Sequence, residues 1–206
     1  MRIKLAYPKI PDGKDCPLKR CVAFEKLDGT NLHWVWEKDK VWTAFGTRRD
    51  QFPYVLGEFA AAHPELEEAP ETFVGMASAL DRQLMQLGAE RAICFTEFYG
   101  KHSFAGQHHK SDEKYIYLID VMIDDKLLSP EDFLTYFGEF GPKVVYRGKY
   151  TGQFVEDVRA GKYKVNEGVV CKGVVDGSVY MTKIKTNAYM ERLKVAFKDN
   201  WKEYWE

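Results

Sequence analysis

Lys26-Leu27-Asp28-Gly29-Thr30-Asn31 separates two apolar runs, Cys21–Glu25 and Asn31–Glu37. Both runs read as strands, with Asp28-Gly29 as the turn between them. On this segment alone Lys26 is a surface lysine at a strand end. Val41–Gly46 reads as a third strand. It runs into Phe45-Gly46-Thr47-Arg48-Arg49-Asp50, where two arginines at a strand end suit contact with phosphate.

Further strands are expected at Ala92–Phe98, Tyr115–Met122 and Lys143–Tyr146. Helices are expected over Tyr54–Ala62, Met76–Gly88 and from Ser129-Pro130-Glu131, where Ser is the N-cap and Pro the first helical residue. Glu65–Thr72 reads as an acidic connector. A hairpin follows, Gly168–Val175 and Val179–Lys185 around Asp176-Gly177. A closing helix runs from Asn187 to about Tyr204. Its stripe of Met190, Leu193, Phe197, Trp201 and Tyr204 is spaced for docking on a core. The sum is an α+β chain of mostly antiparallel strands flanked by helices. Trp34, Trp36 and Trp42 read as core or rim.

The 206 residues are 45% apolar and 15% aromatic, too rich in core-forming side chains for a disordered chain. Thirty basic against 31 acidic residues exclude a binder that works through bulk positive charge. The charge is uneven, however. From Asp112 to Glu139 eight acids stand against two lysines, and from Lys143 to Lys172 seven bases stand against three acids. No run of ~18 apolar residues marks a membrane span. Met1-Arg2-Ile3-Lys4-Leu5 has no long apolar segment of the kind secretory signals carry. Cys16, Cys21, Cys94 and Cys171 form no C-x-x-C pair and no zinc spacing, so reduced thiols in the cytoplasm are expected.

Chemistry-bearing residues recur at strand ends. Glu97-Phe98-Tyr99-Gly100 closes one apolar strand. Glu167-Gly168-Val169-Val170-Cys171-Lys172 opens the hairpin, and Lys183-Ile184-Lys185 ends it with two lysines on one face. His102, His108 and His109 lie beside Lys101 and Lys110 in a loop, where solvation or contact with a phosphate fits better than a metal.

The ordered set K-x-D-G, R, E-x-x-G, Y-x-x-x-D, E-G-V-V-x-K, K-x-K, running from residue 26 to residue 185, resembles the covalent nucleotidyltransferases. These comprise ATP-dependent DNA ligases, RNA ligases and mRNA-capping enzymes. Asn31 after D-G-T, the Thr47-Arg48-Arg49 segment and Tyr99-Gly100 after Glu97 look most like the phage-type and editing-type RNA ligases. The resemblance implies an ATP-grasp-like adenylyltransferase core of antiparallel sheets flanked by helices, without an OB-fold. It implies a nucleotidyltransferase domain over residues 1–186 with the closing helix of 187–206 packed on it.

The implied activity is that of an ATP-dependent RNA ligase using Mg²⁺ or Mn²⁺ in RNA repair. It would form lysyl-AMP, pass AMP to a 5′-phosphate and seal that end to a 3′-hydroxyl, as in a nicked duplex. A DNA ligase core or a capping guanylyltransferase is the alternative, and a non-catalytic nucleotide- or RNA-binding module a third reading. Lys26 would be the nucleophile, with nearby cations disfavouring its charged form. Lys183 and Lys185 would hold the α-phosphate and the leaving pyrophosphate. Glu167 would face the metal. Glu25, Asp28, Gly29, Asn31 and Lys172 would border the nucleotide, Glu97 would hold the ribose, and Arg49 or Arg48 the ribose or the RNA 5′-phosphate. Tyr117 would stack on adenine, with Tyr115 and Ile119 as alternatives.

A three-residue loop, Asp176-Gly177-Ser178, or an equivalent bulge is expected in the hairpin, so that Glu167 shares a face with Lys183 and Lys185. Only about twenty residues follow Lys185, so a minimal ligase is expected. It would adenylate itself well and grip nucleic acid modestly, through its own surface or through a partner protein in place of a second domain. The compartment implied is the cytoplasm, that of an infected host cell if the chain is viral.

Overall fold

Ten strands and five α-helices form in a computed structural model that describes residues 7–13 and 15–204, without the side chains of Leu56, Glu203 and Tyr204. The Met1–Leu5 segment and the Tyr204 end of the apolar stripe lie outside that description. In chain order the elements are β1 (Arg20–Lys26), β2 (Thr30–Glu37), β3 (Val41–Gly46), β4 (Phe52–Pro53), α1 (Leu56–Ala62), α2 (Ala69–Gln86), β5 (Arg91–Gly100), β6 (Lys114–Ile123), β7 (Lys126–Leu127), α3 (Pro130–Phe137), β8 (Val144–Lys149), α4 (Gly152–Arg159), β9 (Gly168–Val175), β10 (Ser178–Lys185) and α5 (Asn187–Phe197). The chain divides into two compact units, one of residues 1–8 and 29–141 and one of residues 9–28 and 142–206.

The first unit holds a six-stranded antiparallel sheet in the order β4-β3-β2-β5-β6-β7. One face is a dry core. Trp34 stacks on Phe73 of α2 at 3.9 Å between ring centroids, and Phe45 of β3 lies parallel to Trp34 at 5.0 Å. Two indole nitrogens are satisfied at the same time: Trp34 Nε1 donates to Thr96 Oγ1 and Trp36 Nε1 to Asp81 Oδ1, both at 2.8 Å, whereas the buried Nε1 of Trp42 has no hydrogen-bond partner among the described residues. Burying a hydrogen-bonded Trp this way is worth about 3–5 kcal/mol against Ala. α2 starts at Ala69, inside the stretch expected to be a connector. Pro70 fits the first helical turn, where no backbone donor is needed. Ser129 Oγ caps α3 by accepting from Asp132 N, as expected.

The second unit holds a four-stranded sheet in the order β10-β9-β1-β8. Its core face carries Cys21, Ala23, Val169, Cys171 and Ile184, packed with Phe154 and Val158 of α4. The sequence reading did not include α4, although Thr151 caps it and its two buried apolar residues, Phe154 and Val158, sit four apart on one face. α5 stops at Phe197, because Lys198 takes a positive φ of 44°, and a 3₁₀ segment continues to Tyr204.

Two expectations need correcting. β1 and β2 do not form a hairpin: β1 pairs with β8 and β9, and β2 with β3 and β5. Asp28-Gly29 is the step from one unit to the other. The β9–β10 hairpin has a regular two-residue turn, with Ser178 opposite Val175 and Lys185 opposite Gly168. Positive φ at both Asp176 and Gly177 gives a type I′ turn, whose twist suits the strands without a bulge.

Candidate active site

The two-residue turn still joins Glu167 to Lys185, because Glu167 precedes the ladder. Gly168 is the direct partner of Lys26 on β1 and of Lys185 on β10. Lys26, Gly168 and Lys185 therefore form one row on one face of three neighbouring strands. A Cβ at 168 would meet the Ile184 carbonyl oxygen at 2.0 Å and the Lys185 Cα at 2.8 Å. Only glycine fits, and it leaves the space between the two lysines open. The Glu167 carboxylate bridges them, with Lys26 Nζ donating to Oε2 and Lys185 Nζ lying against Oε1, each at 2.9 Å. Glu167 and Lys185 side chains are 2% and 4% exposed and that of Lys26 is 18% exposed, so Lys26 is the member of the triad open to a reactant.

Lys183 lies two residues before Lys185 on the same face, opposite Val170, and is buried. Burial, then the neighbouring Lys185 charge, push its ammonium down to about 8. Burial also lowers Lys185, with Glu167 pulling in the opposite direction. Lys172 continues the same face; it is buried, with its ammonium 5.0 Å from the Phe24 ring. Glu25 falls on the opposite face, by strand alternation.

A residue outside the sequence reading completes this side. Tyr189, on the first turn of α5, is 4% exposed. Its hydroxyl donates to Asp28 Oδ2 at 2.8 Å, and Lys185 Nζ sits 5.0 Å from its ring. Thr186 fixes that helix start: its N–H donates to the Glu167 carbonyl at 2.9 Å, and its hydroxyl accepts from Tyr189 N and donates to the Asn166 carbonyl. The apolar stripe drew attention to Met190 and Leu193, and the tyrosine between Thr186 and Met190 has no sequence signature of its own.

The first unit presents a second row, Asn31–Glu97–Tyr117, as direct partners across β2, β5 and β6. Glu97 Oε1 accepts from Gly29 N at 3.2 Å. A Cβ at Gly29 would meet the Phe98 carbonyl oxygen at 2.2 Å, so a side chain there would push this backbone off β5. Asn31 Nδ2 donates to the Thr96 carbonyl. Ile119 is the bulged residue between Leu118 and Asp120, which puts Tyr117 and Asp120 on one face. Asp120 is buried and accepts from the Tyr7 hydroxyl, and burial with this carboxylate raises the Tyr7 phenol well above its ordinary range. Tyr115 is more exposed and donates to Glu113.

Thr47, through its N–H and hydroxyl, binds Asp50 Oδ1 at 3.2 and 2.7 Å, and His63 holds the other carboxylate oxygen at 2.7 Å. This turn carries Arg49 exposed and Arg48 half-buried, with Arg48 Nε enclosed and without a hydrogen-bond partner among the described residues. The loop histidines are engaged: His102 with Asp112 at 2.6 Å and His108 with Thr30 at 2.8 Å. Among the described residues no three His, Cys, Asp or Glu cluster as metal ligands. No described helix is long and apolar enough to cross a membrane.

Two antiparallel sheets flanked by helices, with the lysine-bearing face on one of them, define the nucleotidyltransferase core fold. The sequence profile of the family described as RNA ligase matches residues 19–185, and the chain belongs to that family. Solved structures are similar in fold. An archaeal ATP-dependent RNA ligase matches with a TM-score of 0.60 at 16% identity, over 95% of this chain and 52% of that one. The Naegleria gruberi RNA ligase with PPi matches with a TM-score of 0.58 at 18% identity, over 94% and 59%. A variant of the same Naegleria ligase with ATP and Mn matches with a TM-score of 0.57 at 17% identity, over 92% and 59%. The chain thus spans between half and three-fifths of the length of these proteins. A search of curated protein sequences returns no match.

Proposed function

We propose that the chain is an ATP-dependent RNA ligase that stores AMP on Lys26. The observation that carries this reading is the row Lys26–Gly168–Lys185 closed by Glu167 at 2.9 Å on both sides. It places one amine open to a reactant among buried cations. In the first step the Lys26 amine bonds to the α-phosphorus of ATP, and the bond to pyrophosphate breaks with its electron pair on the leaving group. The proton leaves Nζ along its hydrogen bond to Glu167 Oε2. Lys183 and Lys185 stabilise the charge that builds on the phosphate oxygens. AMP then passes to a 5′-phosphate end, and attack by a 3′-hydroxyl releases it.

The family resemblance assigns Glu97 to the ribose and Tyr117 to the base, and Asn31, Gly29 and Asp28 to the border of the nucleotide. Arg48 fits an anion better than the exposed Arg49, since its enclosed Nε has a hydrogen bond to offer.

Glu167 is the carboxylate that would face a Mg²⁺ or Mn²⁺ ion carried mainly by nucleotide phosphates and water. Such an ion supplies charge neutralisation on the triphosphate. Four free thiols agree with a reducing compartment such as the cytoplasm.

The test is sealing of nicked duplexes whose 5′-phosphate end is RNA or DNA, with ATP or GTP. The reading expects ATP use and faster joining at RNA ends. GTP use would make it a capping-type transferase, and equal joining of DNA ends a general polynucleotide ligase.

A further inference from the structure

The four strands of the second unit carry one acid, Glu25, and it lies on the core side of the sheet. The other face carries only cations among its charged ladder residues. Arg20 stands opposite Lys149, Val22 opposite both Arg147 and Lys172, and Lys26 opposite Gly168, with Lys183 and Lys185 beyond on β10. The seven bases divide in two. Four surround the nucleotide-transfer residues, and three, Arg20, Arg147 and Lys149, are exposed where β1 meets β8 at the sheet edge. Six positions of strand separate Arg20 from Lys26, about 20 Å.

Within this edge group the Arg20–Lys149 pair is electrostatically unfavourable as it stands. Like charges directly opposite on neighbouring strands repel. Neither Arg20 nor Lys149 has an ion-pair partner among the described residues. Some exposed cations of the chain do, such as Lys38 with Glu90 and Lys40 with Glu37, and others, such as Lys19 and Lys126, do not; what sets Arg20 and Lys149 apart is that they stand directly opposite each other. An uncompensated pair, aligned by register with the reactive lysine, marks a place where an anion supplies the missing charge.

We propose that Arg20, Arg147 and Lys149 bind the phosphate backbone of the polynucleotide strand whose end is processed at Lys26. This rests on the ligase reading above. The contact is a sequence-independent electrostatic grip, and it gives the core a hold on its substrate through its own surface.

The test follows binding of a 5′-phosphorylated oligoribonucleotide by fluorescence anisotropy against salt, with self-adenylation by ATP measured in parallel. Three lost phosphate contacts reduce the slope of log affinity against log salt by roughly 2, at about 0.7 per contact on a single strand. The R20Q/R147Q/K149Q variant is expected to show that reduction and a tenfold or greater loss of affinity at low salt. Its self-adenylation stays within twofold of the parent. The charge-preserving R20K/R147K/K149R variant is expected to keep the parental slope. If the triple Gln variant folds poorly, K149Q alone is expected to reduce the slope by about 0.7. Unchanged slopes overturn the proposal. So does displacement of the RNA by millimolar inorganic phosphate but not by sulfate at equal ionic strength, which would make this a small-anion site. A parent that binds RNA in this way but never self-adenylates refutes the ligase reading and leaves the phosphate site standing.

Discussion

Replacing Glu167 by Gln tests the structural centre of the site without changing its shape. Each carboxylate oxygen serves one lysine, so the amide can offer an oxygen to one and must turn its NH₂ toward the other. Lys26 is partly exposed and can fall back on water, so Lys185, at 4% exposure, bears the loss. At an effective dielectric of about 20, two unit charges 3 Å apart attract by roughly 5–6 kcal/mol. Leaving one charge of a buried pair alone costs about 3–5 kcal/mol. Lys185 can escape that cost only by releasing its proton. From an ordinary pKa near 10.4 this costs about 4–5 kcal/mol at pH 7, within the same range. A loss of 3–5 kcal/mol in a chain of this size lowers the melting temperature by roughly 6–20 °C.

The deficit is also pH-dependent in a known direction. Glu167 raises the Lys185 pKa against burial, so its removal lowers that pKa further. The unfolded variant then holds more protons than the folded one between the lowered value and about 10.4, and stability rises with pH across that window. Calorimetry from pH 6.5 to 9.5 should therefore show E167Q far below the parent at the acid end and closer to it at the alkaline end. Melting temperatures within a degree or two of the parent at every pH would refute the reasoning, because a solvated carboxylate would account for them.

The remaining predictions are more local. Gly168→Ala forces a Cβ to 2.0 Å from the Ile184 carbonyl oxygen, so β9 and β10 must part beside Lys185. A loss of about 3 kcal/mol or more in chemical denaturation is expected, with loss of self-adenylation. Tyr189→Phe keeps the ring under Lys185 but removes the hydrogen bond to Asp28, worth about 1.5–3 kcal/mol with a charged acceptor. Self-adenylation should slow, while Tyr189→Leu should also shift its pH profile, since only that variant strips the ring from Lys185. Lys183 is pushed down to about 8, so the folded state sheds its proton before the unfolded state does. Stability should then rise between about pH 8 and 10.4, by at most about 1.4 kcal/mol per pH unit. Lys183→Met should flatten that rise in urea titrations.

The parts of this architecture that local chemistry decides were legible in the sequence. Apolar runs gave most strands to within a residue or two, and Ser129-Pro130 marked the start of α3. The ordered lysines and carboxylates identified the family. What escaped depends on partners far along the chain. Asp28-Gly29 has the composition of a hairpin turn, yet β1 finds its partners at residues 144–149 and 168–172. Face alternation alone gives the wrong hairpin register, because it presumes that Glu167 belongs to the ladder. It lies one residue before it, and the glycine that follows frees its side chain to reach both lysines. Glu65–Thr72 has the acidic composition of a connector, yet α2 begins at Ala69 within it, because Pro70 falls in the first helical turn. Tyr189 became visible only once α5 placed it over Lys185 and Asp28.

The central claim is that Lys26 is the nucleophile and that its neighbours serve it. Intact mass spectrometry of the purified chain after incubation with ATP and Mg²⁺ tests this most directly, with Lys26→Arg alongside. Arg keeps a positive charge against Glu167 but does not deprotonate, so it cannot attack phosphorus. The account predicts a single AMP-sized increment on the parent, reversed by pyrophosphate, and none on the variant. An increment of equal yield on Lys26→Arg, or on a different lysine, would contradict it.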